Sequence, residues 1–331
     1  MNEMSRSERT KLAAVALLAF AVPLAASTAA FAGNPSADAT PRVQLAQSSD
    51  SDDGQGARVC LKCHDEPPVT LIFHTPHAQM ADPRTPFADR ECQTCHGDSK
   101  AHLVKPPEGE KRAPPDVVFG YRSPTPAEQQ DEVCMGCHAG GLRMHWTLGA
   151  HASNDVPCAS CHKPHSLKDK VLVKASQPEI CFDCHAEQRA QSMKRSHHPI
   201  REGKVVCSDC HNPHGSSGPS LLAKNTVNET CFQCHAEKRG PFLWEHAPVA
   251  DDCTTCHTPH GSSQPRLLSV RTPFLCQTCH AETFHPSTLY SGTFLPPSTS
   301  ASAARLLAKG CLNCHPKVHG TNHPSGIRLT R

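Results

Sequence analysis

All twenty cysteines of this 331-residue chain fall in ten copies of one five-residue pattern, Cys-x-x-Cys-His. The copies are Cys60/Cys63/His64, Cys92/Cys95/His96, Cys134/Cys137/His138, Cys158/Cys161/His162, Cys181/Cys184/His185, Cys207/Cys210/His211, Cys231/Cys234/His235, Cys253/Cys256/His257, Cys276/Cys279/His280 and Cys311/Cys314/His315. On one turn of helix, two thiols three residues apart and the next imidazole share a face. That face can add both sulfurs to the vinyl groups of a porphyrin while the imidazole reaches the iron from one side. The pattern is the attachment sequence of a c-type haem. Zinc sites and thiol–disulfide centres also use Cys-x-x-Cys, but neither requires a histidine after the second cysteine in every copy. Ten covalent haems are therefore expected, with no thiol left for a disulfide.

The second axial position is read from what remains. Of 24 histidines, ten lie inside the motifs, leaving fourteen for ten irons. Methionine is the other common axial ligand of cytochromes c, but beyond the N-terminal leader only Met80, Met135, Met144 and Met193 occur. Bis-histidine iron throughout is the economical expectation. The expected second ligands are His77, His102, His151, His165, His197, His214, His246, His260, His285 and His319, with His74, His145, His198 and His323 left for surface roles or bonds to propionates. Spacing leaves His74 open against His77 and His323 against His319. His165, His214 and His260 each follow a motif histidine by three residues, so they leave the haem on its already ligated side. Each is expected to reach a neighbouring iron instead. His197 and His246 share a His-x-Pro context, and His151 precedes Cys158 by the same interval as His246 precedes Cys253.

The elements that must carry these groups are short. The stretch from His211 to Ser217 (HNPHGSS) is matched from His257 to Ser263 (HTPHGSS), and His162-Lys163-Pro164-His165 is a shorter relative. Each is followed by CFDCHAE, CFQCHAE or CQTCHAE, which makes two-haem units of about 45–50 residues whose consecutive members contact their neighbours. Helical turns are predicted at the motifs, a longer helix over residues 126–136, and loops at 106–124 and 290–302. No segment alternates with the period of a strand. The predicted fold class is a multihaem cytochrome c: elongated, mostly irregular, with short α-helices around a chain of ten haems and little or no β. Residues 33–59 read as a flexible N-terminal segment, 60–194 as an N-terminal pentahaem half and 195–331 as a C-terminal one.

Residues 1–32 read as a secretory signal peptide: Arg6, Arg9 and Lys11, an apolar run over 12–24, then Ala30-Phe31-Ala32. Covalent haem attachment outside the bacterial cytoplasm demands the same export. With 5% aromatic residues and 30 prolines, the chain cannot build an ordinary apolar core, so the porphyrins must supply it. The polypeptide is close to neutral, at +2 with the leader and +1 without it, but twenty propionates would carry the ferrous holoprotein to roughly −19. No basic patch interleaved with aromatics exists, which excludes nucleic acid as a partner.

The ten motifs, the CHxPHGSS and CHAE repeats, the CHGxxxxH element from Cys95 to His102 and the closing VHGTNHPSG at 318–326 resemble the decahaem cytochromes of the MtrA/DmsE type, which include PioA and MtoA. The resemblance runs from Cys60 to Arg331. It implies an electron-transfer protein, not an enzyme, seated in an outer-membrane β-barrel porin of the MtrB/PioB type. There it would link periplasmic or inner-membrane cytochromes to extracellular donors or acceptors such as iron, in some systems through an extracellular multihaem cytochrome. A soluble periplasmic shuttle is the alternative. A multihaem reductase would need an iron with an open or unusual ligand, and all ten motifs end in histidine. The mass of the intact secreted protein should therefore correspond to the chain from Gly33 plus ten covalently bound porphyrins; fewer would break the reading at its base.

Overall fold

The computed structural model describes residues 56–280 and 310–330. The leader at 1–32, the polar stretch up to residue 55, His285 and the loop expected at 290–302 lie outside the described residues. Among the described residues there is no strand, only short α- and 3-10 helices joined by irregular chain and four isolated β-bridges. This irregular, short-helix architecture is the one the sequence predicts.

Each motif closes as a helical turn, because the main-chain N–H of the motif histidine donates to the carbonyl of the first cysteine. That bond measures 3.0 Å from His64 to Cys60 and 2.9 Å at His162, His185, His211, His235, His280 and His315. Some turns are α-helical, as at Cys92–His96 and Cys158–Cys161; others are 3-10, as at Cys207–Asp209, Cys253–Thr255 and Cys311–Asn313. The longer helix spans Ala127–His138, with Glu128 in its first turn complementing the N-terminal end of the helix dipole. No helix lies between Leu103 and Ala127, where the sequence predicts a loop.

Consecutive motifs are clamped by buried side chains three residues ahead of a first cysteine. Asp131, 6% exposed, accepts the Cys158 N–H at 2.8 Å through Oδ1 and the Trp146 Nε1–H at 2.7 Å through Oδ2. Asn228 is its counterpart further along the chain: its Oδ1 accepts the Cys253 N–H at 2.8 Å, and its Nδ2 donates to Val249 and Ala250 carbonyls. Each clamp fixes where the second motif of a pair begins relative to the first.

Apolar packing is thin. The cluster at Ala57, Ile72 and Phe87 is small, while Leu148, Leu172 and Ile327 are largely exposed to the polypeptide's surroundings. Close backbone approach does more of the positioning. Gly215, directly after His214, has φ +104°, and a Cβ there would collide with the His145 carbonyl oxygen. Gly261, after His260, meets the Gln191 carbonyl in the same way. A side chain at Gly215 must therefore push two backbones apart. Gly215→Ala should lower stability by about 1–3 kcal/mol, read as a lower unfolding midpoint of the holoprotein by circular dichroism. Gly140→Ala, where a Cβ meets nothing within 4 Å, should leave the midpoint within error.

Candidate metal centres

Nine of the ten motif histidines face a second imidazole across a gap of one size. The pairs, with ring-centroid separations, are His64 with His102 at 6.0 Å, His96 with His165 at 6.2 Å and His138 with His77 at 6.1 Å. Next come His162 with His214 at 6.1 Å, His185 with His151 at 6.1 Å and His211 with His260 at 5.9 Å. The last three are His235 with His198 at 6.4 Å, His257 with His319 at 6.2 Å and His280 with His246 at 6.2 Å. Two metal–imidazole bonds of about 2 Å, added to the two half-rings, span about 6 Å. Rings in van der Waals stacking would sit closer. The gaps thus fit an iron between each pair, with the adjacent thiols positioned for the porphyrin edge. No group of three or more His, Cys, Asp or Glu converges among the described residues. A bare ion such as zinc therefore lacks its usual donor set, whereas a porphyrin iron needs only two ligands from protein.

The outer nitrogens fix the tautomers. Nδ1 of His96 donates to the Val117 carbonyl at 3.0 Å, His102 to Ala113 at 2.7 Å, His165 to Val69 at 2.9 Å, His211 to Ser220 at 2.9 Å and His257 to Arg266 at 2.8 Å. A carbonyl only accepts, so the proton must sit on Nδ1 and the Nε2 lone pair is left for the metal. Burial, joined by neighbouring positive charge including the facing ring, holds His77, His214, His260 and His319 below the usual imidazole value. Burial likewise lowers His96 despite its carbonyl bond. The neutral imidazole so favoured is the ligating form.

Numbered by motif, the pairs follow a lacing rule. Sites 2, 4, 6 and 8 face His165, His214, His260 and His319, each lying three or four residues after the motif histidine two motifs further on. The reach expected to a neighbouring iron instead passes over one motif, because each ring faces the histidine two motifs back. Sites 3, 5, 7 and 9 face His77, His151, His198 and His246, which precede their own motif by a whole intervening motif. The two sets are tied together. Nδ1 of His151, His198 and His246 donates to the carbonyls of Pro213, Pro259 and Val318, each directly preceding an even-site partner. Site 1 departs from the rule, taking His102 from just beyond motif 2.

His197, expected as a ligand, is displaced by its neighbour. Its Nδ1 donates to the Lys194 carbonyl at 2.7 Å and its Nε2 lies 3.4 Å from Glu202 Oε1. His198 faces His235 instead. The cause is the antiparallel bridge Ser196–Ser262, with hydrogen bonds of 3.0 and 2.7 Å. The bridge Trp244–Thr321 repeats it, and the facing ring follows two residues after Ser196 and Trp244 alike. In each case the serine or tryptophan sets the register; the proline, which was the visible sequence cue, does not. His77 and His319, not His74 and His323, face motif rings, and the His323 Nδ1 accepts the Ser325 N–H at 3.1 Å. His145 is exposed, and its carbonyl oxygen lies where a Cβ on Gly215 would sit. At the tenth motif His315 donates Nδ1–H to the Arg328 carbonyl; His285, its expected companion, lies outside the described residues.

The attachment thiols are not uniformly enclosed by polypeptide. All ten first cysteines are partly buried, but the second cysteines Cys63, Cys137, Cys184, Cys234, Cys279 and Cys314 are exposed; Cys95, Cys161, Cys210 and Cys256 are partly buried. Enclosure by the chain is therefore not what marks these six as attachment residues. The first cysteine packs against the motif it is paired with, and Cys95, Cys161, Cys210 and Cys256 lie beside cysteines of the next motif.

The thiols also join successive sites into a file. Within pairs, first cysteines share a hydrogen bond: Cys60 with Cys92, Cys134 with Cys158, Cys181 with Cys207, Cys231 with Cys253 and Cys276 with Cys311. Between pairs, second cysteines lie close enough to perturb the next motif's thiols: Cys95 with Cys134 and Cys137, Cys161 with Cys184, Cys210 with Cys231 and Cys234, and Cys256 with Cys279. Cysteines of adjacent motifs are thus neighbours at every step from motif 1 to motif 10. His198→Ala should convert one low-spin iron to high-spin in the ferric electron paramagnetic resonance spectrum. His197→Ala should leave the spectrum unchanged, and the reverse outcome would restore His197 as the ligand.

Comparison with known proteins agrees with this geometry. A family model described as a doubled CXXCH motif matches residues 197–240 and 246–285, and one described as cytochrome c-type protein NrfB-like matches 92–176. The chain is 43% identical over 278 residues to the multiheme cytochrome MtrA of Shewanella baltica, covering 84% of this chain and 82% of that one. It is 31% identical over 135 residues to the cytochrome c-type protein NrfB of Escherichia coli, covering 39% of this chain and 65% of that one. With its paired motifs, its facing imidazoles and a likeness running over most of both sequences, the chain belongs to the family of MtrA-type multihaem c-type cytochromes.

Proposed function

We propose that the chain is exported to the periplasm, binds ten haems c with bis-histidine iron, and conducts electrons across the outer membrane from within a β-barrel porin of the MtrB/PioB type. The observation that carries this is the unbroken succession of motif contacts from Cys60/Cys92 to Cys276/Cys311. Each thioether would sit at a porphyrin edge, so neighbouring cysteines bring successive porphyrin edges near one another, and electron hopping depends steeply on that separation. Facing imidazoles at nine irons support a carrier over a catalyst, because an iron with both axial positions filled has none for substrate. His315 closes the tenth site, with His285 as its proposed second ligand.

Solvation supports the barrel reading. No helix among the described residues is long and apolar enough to cross a membrane, and a file of propionate-bearing haems could not lie against lipid tails. The polar lumen of a barrel is the compatible environment. Periplasmic or inner-membrane cytochromes would serve one end, and extracellular iron or an extracellular multihaem cytochrome the other. The NrfB-like match over 92–176 favours a second reading, a periplasmic shuttle that never enters a barrel. Liposomes loaded with a redox dye separate the two. The cytochrome inserted together with its porin should bleach the internal dye on addition of external reductant, and porin alone should not. Absence of bleaching with a correctly assembled complex would leave the shuttle.

A further inference from the structure

The iron between His162 and His214 has an environment unlike those of its repeats. At the corresponding motifs, His211 donates Nδ1–H to the Ser220 carbonyl and His257 to the Arg266 carbonyl, nine residues on in each case. Ser220 and Arg266 adopt φ of 51° and 60°, which turns those carbonyls toward the rings. The unit at His162 has the same length up to its 3-10 helix, Lys170–Leu172, but lacks that left-handed pair. Its histidine instead meets a side chain: Nδ1 lies 2.7 Å from Oδ2 of Asp169.

Asp169 stands at the N-cap of Lys170–Leu172, where an aspartate ordinarily accepts from the helix's own N–H groups. It makes no such bond, whereas Thr226 and Asp252 cap their helices in the usual way. The Asp169 side chain is 15% exposed, and its Oδ1 is buried with no hydrogen-bond partner. The carboxylate is thus committed to the ring. Across the gap, the His214 Nδ1 is buried without an acceptor, so any electronic push arrives from the His162 side. Elsewhere, Glu237 stands 3.8 Å from His235 Nδ1, with both side chains more than half exposed.

From this contrast we infer that Asp169 lowers the reduction potential of the fourth haem below what a carbonyl partner would give, placing a low-potential step inside the electron path. A carboxylate draws the Nδ1 proton more strongly than a carbonyl does and leaves the imidazole a better donor to iron. Its negative charge favours the ferric state further. The step is a one-electron exchange: a neighbouring ferrous haem becomes ferric, the fourth iron becomes ferrous, and the proton remains in the His162–Asp169 hydrogen bond throughout.

The inference rests on bis-histidine ligation at this iron, and the experiment tests the two separately. Purified Asp169→Asn holoprotein is titrated spectroelectrochemically beside the wild type, with haem content and the low-spin ferric spectrum measured on the same samples. About one tenth of the absorbance change should move to higher potential, and Asp169→Glu should move it back toward the wild-type curve. Should Asp169→Asn fail to fold, Asp169→Ser, which also removes the charge, carries the same expectation. Superimposable titrations with haem content and low-spin signal intact would overturn the role of Asp169. A wild-type spectrum with high-spin iron at His162 would instead overturn the ligation beneath it.

Discussion

Imidazole pairing across iron-sized gaps is the constraint on which the fold depends. The chain has few buried apolar side chains and no sheet among its described residues, so ordinary packing cannot specify where one segment lies against another. The facing rings can. His165 meets His96, and His246 meets His280, each joining segments far apart in sequence through what would be two coordination bonds to one metal. Metal affinity then becomes folding free energy, as in small metal-dependent domains, and the thioethers keep each metal in place even when the chain opens locally.

Weaker interactions refine what the rings set. Main-chain carbonyls orient the outer nitrogens, and those of Pro213, Pro259 and Val318 do so from the residue just ahead of another axial histidine. Two adjacent imidazole pairs are thereby coupled through one peptide unit. Gly215 and Gly261 allow the approach that brings that peptide within reach. The Asp131 and Asn228 clamps do the corresponding work on the thiol side, holding the start of one motif against the helix of another. Removing a carbonyl partner or a clamp would misplace a ring or a sulfur without unfolding the chain, so its effect should be local and spectroscopic, whereas a side chain at Gly215 also acts on global stability.

Much of this was legible in the sequence because the attachment chemistry admits one spacing, and because a histidine leaving the ligated side of its own haem must serve another iron. The helix at Ala127–His138 and the irregular stretch before it were readable for similar local reasons. The choice of His198 over His197 was not. It is decided by the bridge Ser196–Ser262, a contact between residues 66 positions apart, and a His-x-Pro match conceals the two-residue offset that Ser196 and Trp244 share. The skipped motif in the lacing was hidden too, since spacing says which side of a haem a histidine leaves and not how far it travels. The role of Asp169 was equally hidden. An aspartate ahead of a short helix reads as a cap until its hydrogen bonds are seen to go elsewhere.

The lacing also explains how so irregular a chain could keep its redox centres in contact. If each iron took both ligands from one motif, the sites would be beads free to drift, and each junction would be only as tight as the loop beside it. Here the partner of an even site is borne by the motif two further on, and the partner of an odd site by the segment before an intervening motif. Any separation of neighbouring motifs must therefore strain the ligands of sites on both sides. With iron between the facing rings, the distances that matter for electron passage, between the cysteines of successive motifs, would be set by coordination geometry and not by the loops between them. A file built this way trades a conventional core for a structure in which stability and conduction rest on the same bonds.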